Sequence, residues 1–357
     1  MSPTLQKTAL IMAGGTGGHI FPGIAVAQGL ERAGWRVVWL GGEAGMERKL
    51  VPAHGLNMRT VAFSGVRGKG LKTLALLPWR LASAWWQARR IVKQERPQVV
   101  LGFGGYISAP GGLAAASCGV PLFLHEQNAL PGMANKLLSY VSRRVFTAFP
   151  GALRRGQWVG NPLRQAFLEQ ALPADRFAGR QGPLRLLVIG GSLGAQALNT
   201  VVPQALALIP AERRPLVLHQ SGEKQMEALQ NHYANAQVEA QLTPFIDNTA
   251  QAYAEADIVL CRAGASTVTE IAAVGAAACF VPFPYAVDDH QTMNADYLVA
   301  PQAAWLMPQT QLTAEALAAF LSQLDRPTLL ARAQKAQHLA KTDAVDQMVA
   351  ACEEVLA

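Results

Sequence analysis

Three glycine-rich segments constrain the fold of this chain most strongly, because each separates a run of apolar residues from a segment with helical periodicity. They are Gly14–Gly18, Gly102–Gly105 and Gly190–Gly194. A strand that ends in such a turn and continues into a helix is the start of a parallel βαβ unit. The chain is therefore predicted to contain parallel sheets covered by helices.

The same alternation runs through both halves of the 357-residue chain, which has the length of two ordinary domains. We predict an α/β fold of two Rossmann-like domains that face a cleft. The expected strands are Thr8–Met12, Arg36–Leu40, Gln98–Leu101, Pro121–Leu124, Arg144–Thr147, Arg185–Ile189, Leu216–His219, Gln237–Leu242, Asp257–Leu260, Ala277–Val281 and Ala303–Leu306. The irregular stretch 160–182 separates the domains, which we place at 1–163 and 164–340, and a helix in 341–357 is expected to pack back on the first domain.

Charge is divided unevenly between the two halves. Residues 1–163 carry 19 Lys and Arg against 5 Asp and Glu, whereas residues 164–357 carry 12 against 19. The net charges of +14 and −7 indicate that the first half meets an anionic partner, although a solvated basic surface is the simpler alternative. The sequence contains no recognised nucleic-acid-binding module, so nucleic acid is not an expected partner.

The first glycine loop is suited to bind an anion. Its glycines allow close approach of the backbone, and the helix that follows offers free N–H groups and a partial positive charge. Ile20 stands where a dinucleotide-binding fingerprint has its third glycine, and no lysine follows the glycines as in a phosphate-binding P-loop. Dehydrogenase and NTPase functions are therefore disfavoured, and a turn without a ligand remains the alternative.

The other two loops extend this pattern. The second is predicted at the same sheet edge as the first, where open α/β sheets bind ligands, and the third lies in the second domain. Anion sites on two domains suggest that two phosphorylated substrates meet, as in a transferase.

Five further motifs accompany the loops: His125–Asn128, Gly160–Arg164, Phe245–Asp247, Cys261–Glu270 and Asp289–Ala295. In this order and spacing the chain resembles the MurG family of bacterial glycosyltransferases from about Lys7 to beyond Ala295. The resemblance implies a GT-B fold and inverting transfer of N-acetylglucosamine (GlcNAc) from UDP-GlcNAc to lipid I. That acceptor is an N-acetylmuramyl-pentapeptide on undecaprenyl diphosphate, and transfer to its 4-hydroxyl gives lipid II for peptidoglycan synthesis.

The resemblance also implies roles for individual residues. Ile246 is expected to meet the uracil through its backbone, and Glu270 to accept hydrogen bonds from the ribose. Ser192 and Arg164 are expected to serve the nucleotide and its diphosphate. The helix that begins with Ala265, Ser266, Thr267, Val268 and Thr269 is expected to open toward the phosphates. The sugar is assigned to Gln291 and Asn128, the space between donor and acceptor to Thr16, Gly17 and Gly18, and the acceptor diphosphate to Gly14, Gly15, Gly104, Gly105 and Tyr106.

Several of these positions have plain structural interpretations. Thr267 and Glu270 are spaced as a helix capping box, which is compatible with a ribose contact. Arg262 is either a structural guanidinium or a ligand contact, and its place beside the Gly264 turn favours the ligand. Arg164 is alternatively a surface residue of the domain linker.

The reaction requires a group that removes the proton of the acceptor hydroxyl and groups that stabilise the leaving diphosphate. His19 is our candidate base because histidine titrates near neutral pH. Glu126 is the rival and His125 a weaker one, and all three have alternative structural roles. The sequence contains no D-x-D metal-binding motif, so we expect no metal cofactor.

The segment after Val66 combines apolar residues, tryptophans and cations, as does a helix in a lipid interface. Leu81, Trp85 and Ala88 are spaced to face the core, which leaves Trp79, Ala82 and Trp86 as a second stripe. The same segment also contains Leu74, Leu76 and Leu77, and its cations are Arg67, Lys69, Lys72, Arg80, Arg89, Arg90 and Lys93. We expect a peripheral protein on the anionic cytoplasmic face of the inner membrane, without a signal peptide or a transmembrane helix, near other cell-wall synthesis proteins.

Two other functions are compatible with such a chain. One is a UDP-GlcNAc 2-epimerase or a glycosyltransferase with a soluble acceptor, which would need no membrane-binding surface. The other is a scaffold that binds UDP-GlcNAc without turnover.

Overall fold

A computed structural model describes residues 6–65, 76–191 and 194–356, with the side chain of Val287 excepted. The chain divides into two compact units. The first consists of Met1–Arg164 together with Lys341–Ala357, and the second of Gln165–Ala340. The first unit is therefore built from both ends of the chain.

The first unit contains a seven-stranded parallel sheet in the order β3-β2-β1-β4-β5-β6-β7. Its strands are β1 (Thr8–Met12), β2 (Arg36–Gly42), β3 (Asn57–Val61), β4 (Val99–Gly102), β5 (Leu122–Glu126), β6 (Arg144–Thr147) and β7 (Gln157–Trp158). Its helices are α1 (Gly17–Arg32), α2 (Glu47–Ala53), α3 (Leu77–Glu95), α4 (Ser108–Ser117), α5 (Met133–Leu138) and, near the C-terminus, α15 (Ala344–Glu353).

The second unit contains a six-stranded parallel sheet in the order β10-β9-β8-β11-β12-β13. Its strands are β8 (Arg185–Ile189), β9 (Leu216–Gln220), β10 (Gln241–Thr243), β11 (Ile258–Cys261), β12 (Ala278–Phe280) and β13 (Trp305–Leu306). Its helices are α6 (Gln165–Leu168), α7 (Pro173–Phe177), α8 (Gln196–Ala207), α9 (Met226–Ala236), α10 (Thr249–Glu255), α11 (Ala265–Val274), α12 (His290–Val299), α13 (Ala314–Ser322) and α14 (Arg326–His338). Short 3₁₀ turns lie at Ala211–Arg213, Val287–Asp289 and Gln309–Gln311.

Both sheets have the strand order of a Rossmann-like domain, and the predicted fold class is confirmed. In each sheet the order reverses beside the first strand, between β1 and β4 and between β8 and β11. Ligands of open α/β sheets bind outside the carboxyl ends of the strands at this switch point. The three glycine loops and α11 all begin at these two points.

Apolar residues of β1 alternate between the two faces of the first sheet. Ala9 and Ile11 belong to a core cluster with residues of α1 and α15, and Leu10 and Met12 to a second cluster with residues of α3, α4 and α5. A strand covered by helices on both faces is apolar throughout, which explains its uninterrupted run of buried residues.

Two strands were missed by the sequence analysis, and both lie at an edge of the first sheet. Most residues of β3 are exposed or half-buried and only Val61 is buried, so its sequence has no apolar run. The two residues of β7 are exposed. The predicted strand 237–242 is reduced to Gln241–Thr243, because α9 extends to Ala236 and Gln237 ends it in the left-handed conformation, at φ 53°.

Helix α15 packs on α1. Met348 and Cys352 are fully buried in the cluster that contains Ile24 and Leu30. Glu353 accepts hydrogen bonds from Lys7 at 2.8 Å and from the Trp35 indole at 2.7 Å. These contacts join the two ends of the chain within the first unit.

Helix α3 has a buried face, with Ala84, Ala88 and Val92, and an exposed face, with Trp79 and Trp86. It begins with Pro78 in its first turn and ends at Arg96, which adopts the left-handed conformation. Within the described ranges, no helix combines the length and the apolar character that crossing a membrane requires.

Candidate functional site

The first two glycine loops are in contact at the switch point of the first sheet. Gly105 has a φ of +80°, and a Cβ built on it would lie 2.0 Å from the carbonyl oxygen of Gly14. Glycine is required here both by the backbone conformation and by the close approach of the two loops. The loops after β1 and β4 therefore form one surface.

A buried carboxylate that the sequence analysis missed supports this surface. Glu47, at the start of α2, accepts hydrogen bonds from the backbone N–H of Gly15 at 3.1 Å and of Gly42 at 3.2 Å. It also accepts one from the hydroxyl of Tyr106, and burial together with this carboxylate raises the pKa of the tyrosine. Tyr106 was assigned to the acceptor diphosphate, but its hydroxyl is directed at Glu47.

His19 lies in the first turn of α1, beside the second loop. Its Nδ1 is 2.9 Å from Oε1 of Gln127. A Cβ built on Gly104 would lie 3.1 Å from the imidazole ring, so a side chain at this position would displace the histidine. Thr16 is the N-cap residue of α1 but makes no side-chain capping bond. The predicted residues Thr16 to His19 therefore lie at a helix N-terminus where backbone N–H groups face outward.

The two rival bases lie beneath this surface. His125 is fully buried, its Nε2 is 2.9 Å from the carbonyl oxygen of Gly160, and burial lowers its pKa to about 4. Glu126 is 1% exposed. Its carboxylate accepts hydrogen bonds from the backbone of Asn128 at 2.9 Å and of Gly132 at 3.1 Å, and from the Asn135 side chain at 3.0 Å. These hydrogen bonds hold the loop after β5, and the carboxylate is directed at that loop rather than at a ligand.

The linker arginine belongs to the first unit. The guanidinium of Arg164 lies 4.8 Å from the ring centroid of Phe21, near the start of α1. It is half-buried, which differs from the alternative of an exposed linker residue. The structure thus brings Arg164 to the same helix as Thr16, Gly17, Gly18 and His19.

In the second unit a buried glutamine joins three loops. Gln220, at the end of β9, donates through Nε2 to the carbonyl oxygen of Gly191 at 3.0 Å and to that of Pro244 at 3.4 Å. The third glycine loop and the loop that carries Ile246 therefore lie side by side. Ser192 lies outside the described residues.

Helix α11 begins at the switch point of the second sheet. Its N-cap is Gly264, without a side-chain capping bond, so Thr267 lies inside the helix and the capping-box interpretation is wrong. Val268 is fully buried, and the hydroxyl of Thr269 donates to the carbonyl oxygen of Ala265 at 3.0 Å. Of the predicted segment, the first-turn N–H groups and the side chains at 266 and 267 are the parts suited to a phosphate contact.

Two further predicted residues, Gln291 and Glu270, lie on α12 and α11. Gln291, in α12, accepts hydrogen bonds at Oε1 from the backbone of Ala263 at 3.3 Å and of Phe283 at 2.9 Å. These bonds occupy its Oε1, so its amide NH₂ group is the part suited to the predicted sugar contact. Glu270 is half-buried in the second turn of α11.

Arg262 has a structural role, contrary to the ligand contact that its position favoured. It donates to the carbonyl oxygens of Val281 at 3.0 Å and Pro282 at 3.1 Å, and to Gln309 at 2.7 Å. Burial lowers the pKa of its guanidinium. In the part of the chain that the structure describes, no group of three or more His, Cys, Asp or Glu side chains is arranged to hold a metal ion.

Comparison with known proteins gives full-length matches. Residues 9–147 match the glycosyltransferase family 28 N-terminal domain and residues 185–348 the C-terminal domain of that family. A protein of Paracidovorax citrulli is 62% identical over 354 residues, covering 99% of this chain and 100% of its own. Its name is UDP-N-acetylglucosamine--N-acetylmuramyl-(pentapeptide) pyrophosphoryl-undecaprenol N-acetylglucosamine transferase.

Two solved structures extend the comparison. MurG of Acinetobacter baumannii is 40% identical, with a TM-score of 0.83 over 98% of this chain and 99% of that one. The calicheamicin glycosyltransferase CalG4 is 15% identical, with a TM-score of 0.70 over 99% of both chains, and is similar in fold alone.

Proposed function

The chain belongs to glycosyltransferase family 28, and we propose that it transfers GlcNAc from UDP-GlcNAc to the 4-hydroxyl of lipid I, giving lipid II. The observation that carries this conclusion is the 62% identity, along 99% of the chain, to a relative named for that transfer. The product is the β-linked disaccharide, formed as UDP leaves the anomeric carbon. The two sites described above supply the groups that this reaction needs.

The second unit is the donor-binding unit in this proposal. The uracil meets the backbone at Ile246, and Glu270 accepts from the ribose hydroxyls. Ser192, the third loop and the N-terminus of α11 receive the diphosphate, since aligned N–H groups and the helix dipole stabilise negative charge. The same dipole stabilises UDP as it departs.

The first unit receives the acceptor. Its diphosphate is assigned to the joined loops at Gly14, Gly15, Gly104 and Gly105. Within these loops the N–H of Gly15 donates to Glu47 and that of Gly104 to Ser108, so these two groups shape the loops rather than bind the phosphates. Two residues with other assigned roles also lie on this unit: Asn128, which positions the sugar together with Gln291, and Arg164, which contacts the nucleotide diphosphate.

His19 is the general base of this proposal, in preference to Glu126 and His125. It lies half-buried in the first turn of α1, whereas both rivals are buried beneath the loops. A histidine that removes the hydroxyl proton contributes roughly a hundredfold to ten-thousandfold in rate.

The outer face of α3 is the membrane-binding surface. Trp79 is 78% exposed and Trp86 60%, whereas Leu81 and Trp85 pack on the core, as the two predicted stripes require. A second apolar group, which the sequence analysis missed, lies in and beside α5 and consists of Met133, Leu137, Tyr140 and Val141. Both groups belong to elements that cover the same face of the first sheet. The basic segment after Val66 lies outside the described residues.

Exposed apolar and indole groups beside cations bind an anionic lipid interface. Arg80, Arg90 and Lys93 on α3 are exposed or half-buried. This surface supports a peripheral location on the cytoplasmic face of the inner membrane, close to the lipid-anchored acceptor.

The decisive assay follows transfer of labelled GlcNAc from UDP-GlcNAc to lipid I and, in parallel, to a soluble muramyl-pentapeptide. We expect transfer to lipid I, and a loss of about a hundredfold or more in kcat for His19→Ala with UDP-GlcNAc binding retained. Donor binding without transfer would favour a scaffold, and conversion of UDP-GlcNAc without acceptor would favour an epimerase.

The membrane surface is tested by sedimentation with anionic vesicles. The double variant Trp79→Ser, Trp86→Ser is expected to bind the vesicles at least about tenfold more weakly, because each indole that enters the lipid interface contributes buried apolar area. Tyr285→Ser, which removes an 82% exposed aromatic residue from the second unit, is the matched control. Equal vesicle binding by both variants and the unsubstituted protein would contradict the surface.

A further inference from the structure

We propose that Gln127 is a positioning residue that holds neutral His19 in the tautomer protonated on Nδ1, so that Nε2 carries the lone pair that accepts the substrate proton. This inference rests on the proposed function, since it concerns how the base is prepared. It follows from a chain of hydrogen bonds whose proton positions are fixed at its buried end.

The buried end of the chain is the carbonyl group of Gly160. A carbonyl oxygen only accepts, so Nε2 of His125, at 2.9 Å, must carry a proton. His125 is fully buried, and burial keeps it neutral by lowering its pKa to about 4. A neutral imidazole with its proton on Nε2 presents Nδ1 as an acceptor.

The orientation of the Gln127 amide follows from this. Its Nε2 lies 3.1 Å from Nδ1 of His125 and 3.2 Å from the carbonyl oxygen of His125, both of which are acceptors. The NH₂ group must therefore face His125, and the amide oxygen must face away from it. This argument fixes the amide without reference to His19.

The last bond of the chain determines the tautomer of the base. The amide oxygen of Gln127 lies 2.9 Å from Nδ1 of His19, and an oxygen that only accepts requires a donor there. Neutral His19 therefore carries its proton on Nδ1, and its Nε2 is unprotonated. A Cβ built on Gly104 would lie 3.1 Å from the Nδ1 and Cε1 atoms, so the ring occupies the space that a side chain at this position would need.

The proton balance of the transfer is simple in this arrangement. The acceptor hydroxyl forms a bond to the anomeric carbon, the bond from that carbon to the diphosphate oxygen breaks, and UDP leaves with the electron pair. The hydroxyl proton moves to Nε2 of His19, which later releases it to solvent. The imidazolium keeps its Nδ1–H bond to Gln127, so the amide stabilises both states of the base and exchanges no proton.

The first test is nitrogen-15 NMR of the full-length protein labelled at histidine, with His19 assigned by loss of its signals in His19→Gln. In the neutral form we expect Nδ1 to have the chemical shift of a protonated nitrogen and Nε2 that of an unprotonated one. Gln127→Met keeps the side-chain volume but removes the acceptor, and is expected to give averaged shifts from both tautomers. A proton on Nε2 in the unsubstituted protein would overturn the inference, with no variant needed.

Kinetics supply the second test. Gln127→Met is expected to lower kcat for transfer to lipid I about tenfold and to change KM for UDP-GlcNAc less than about twofold, as expected for a mispositioned base. Gln157→Ala, an exposed glutamine on β7, is the control that keeps full activity. Unchanged NMR shifts and kcat in a folded Gln127→Met protein would contradict the role of Gln127.

The assignment of His19 as the base and the positioning role of Gln127 can be disproved independently. If His19→Ala retains transfer while the NMR shows the Nδ1–H tautomer, the assignment of the base is wrong although the hydrogen-bond chain exists. If His19→Ala loses transfer and Gln127→Met behaves like the unsubstituted protein, the base is right and the positioning role is wrong.

Discussion

Gly105 is the residue at which the two anion-binding loops of the first unit depend on the absence of a side chain. A Gly105→Ala substitution adds the strain of a positive φ, about 1–2 kcal/mol, and also pushes a methyl group into the backbone of Gly14. Gly119, with a φ of +72° and no atom within 4 Å of a built Cβ, carries the strain alone. We expect Gly105→Ala to lose transfer activity by at least about tenfold and Gly119→Ala to keep it, although the positive φ destabilises both variants. Steady-state kinetics beside thermal unfolding measures this, and equal activity of the two variants would contradict the importance of the loop contact.

Two buried histidines make the stability of the protein depend on pH. Burial lowers the pKa of His125 to about 4 and that of His219 to about 3, whereas an unfolded histidine titrates near 6.5. Between these values the unfolded chain binds more protons, so the free energy of unfolding decreases as the pH falls, by up to about 1.4 kcal/mol per pH unit for each group.

This prediction is measured by urea unfolding at about pH 7 and about pH 5, below the unfolded pKa of histidine. His219→Asn is expected to reduce the pH dependence in the second unit, and His338→Asn, at an exposed position on α14, to leave it unchanged. An identical pH dependence in all three proteins would show that His219 does not contribute.

The residues of this site that were predicted from sequence are mainly those that act through their backbone N–H groups. Glycine loops between a strand and a helix are visible as patterns, and all three follow the strands after which they were expected. Glu47 and Gln127 act through contacts between elements far apart in the chain, which no local pattern records. Arg262 was misinterpreted for the same reason, because the carbonyl groups that it binds come from the end of a neighbouring strand.

At the scale of elements, prediction succeeded where burial gives a strand or helix a pattern and failed where it does not. The central strands β1, β6 and β8 have the predicted bounds, whereas the edge strands β3 and β7 have too few buried side chains to be recognised. The stripes of α3 could be read from sequence because a long helix repeats its pattern over several turns. The apolar group beside α5 could not, because that helix has only six residues.

Helix α15 should be important for the first unit despite its distance in sequence. Met348 is fully buried against α1, and Met348→Ala is expected to lower the free energy of unfolding by about 2–5 kcal/mol, through lost burial and the cavity left behind. Asp346→Ala, at an exposed position on the same helix, is expected to cost less than about 1 kcal/mol. Chemical unfolding measures both, and similar losses would argue that α15 does not contribute through packing.

The whole molecule consists of two units, one continuous and one assembled from both ends of the chain. A chain that ends at Ala340 lacks the ion pair of Lys7 with Glu353 and the cover of α1. We expect hydrogen exchange in β1 and α1 to accelerate strongly, because their apolar residues lose burial, while peptides of β8 and β11 keep their protection. Equal acceleration in both units would contradict the division of the chain, and the second unit serves as the internal reference.

The discontinuous unit also imposes an order on biosynthesis. A ribosome delivers the residues of β1 to β7 before those of the second unit, and the helix that covers α1 only after the second unit. All residues of the second unit are synthesised before the last residues of the first unit. The second unit can therefore fold while the first still exposes the apolar surface of α1. The first unit is thus begun before the second and completed after it, when α15 packs on α1.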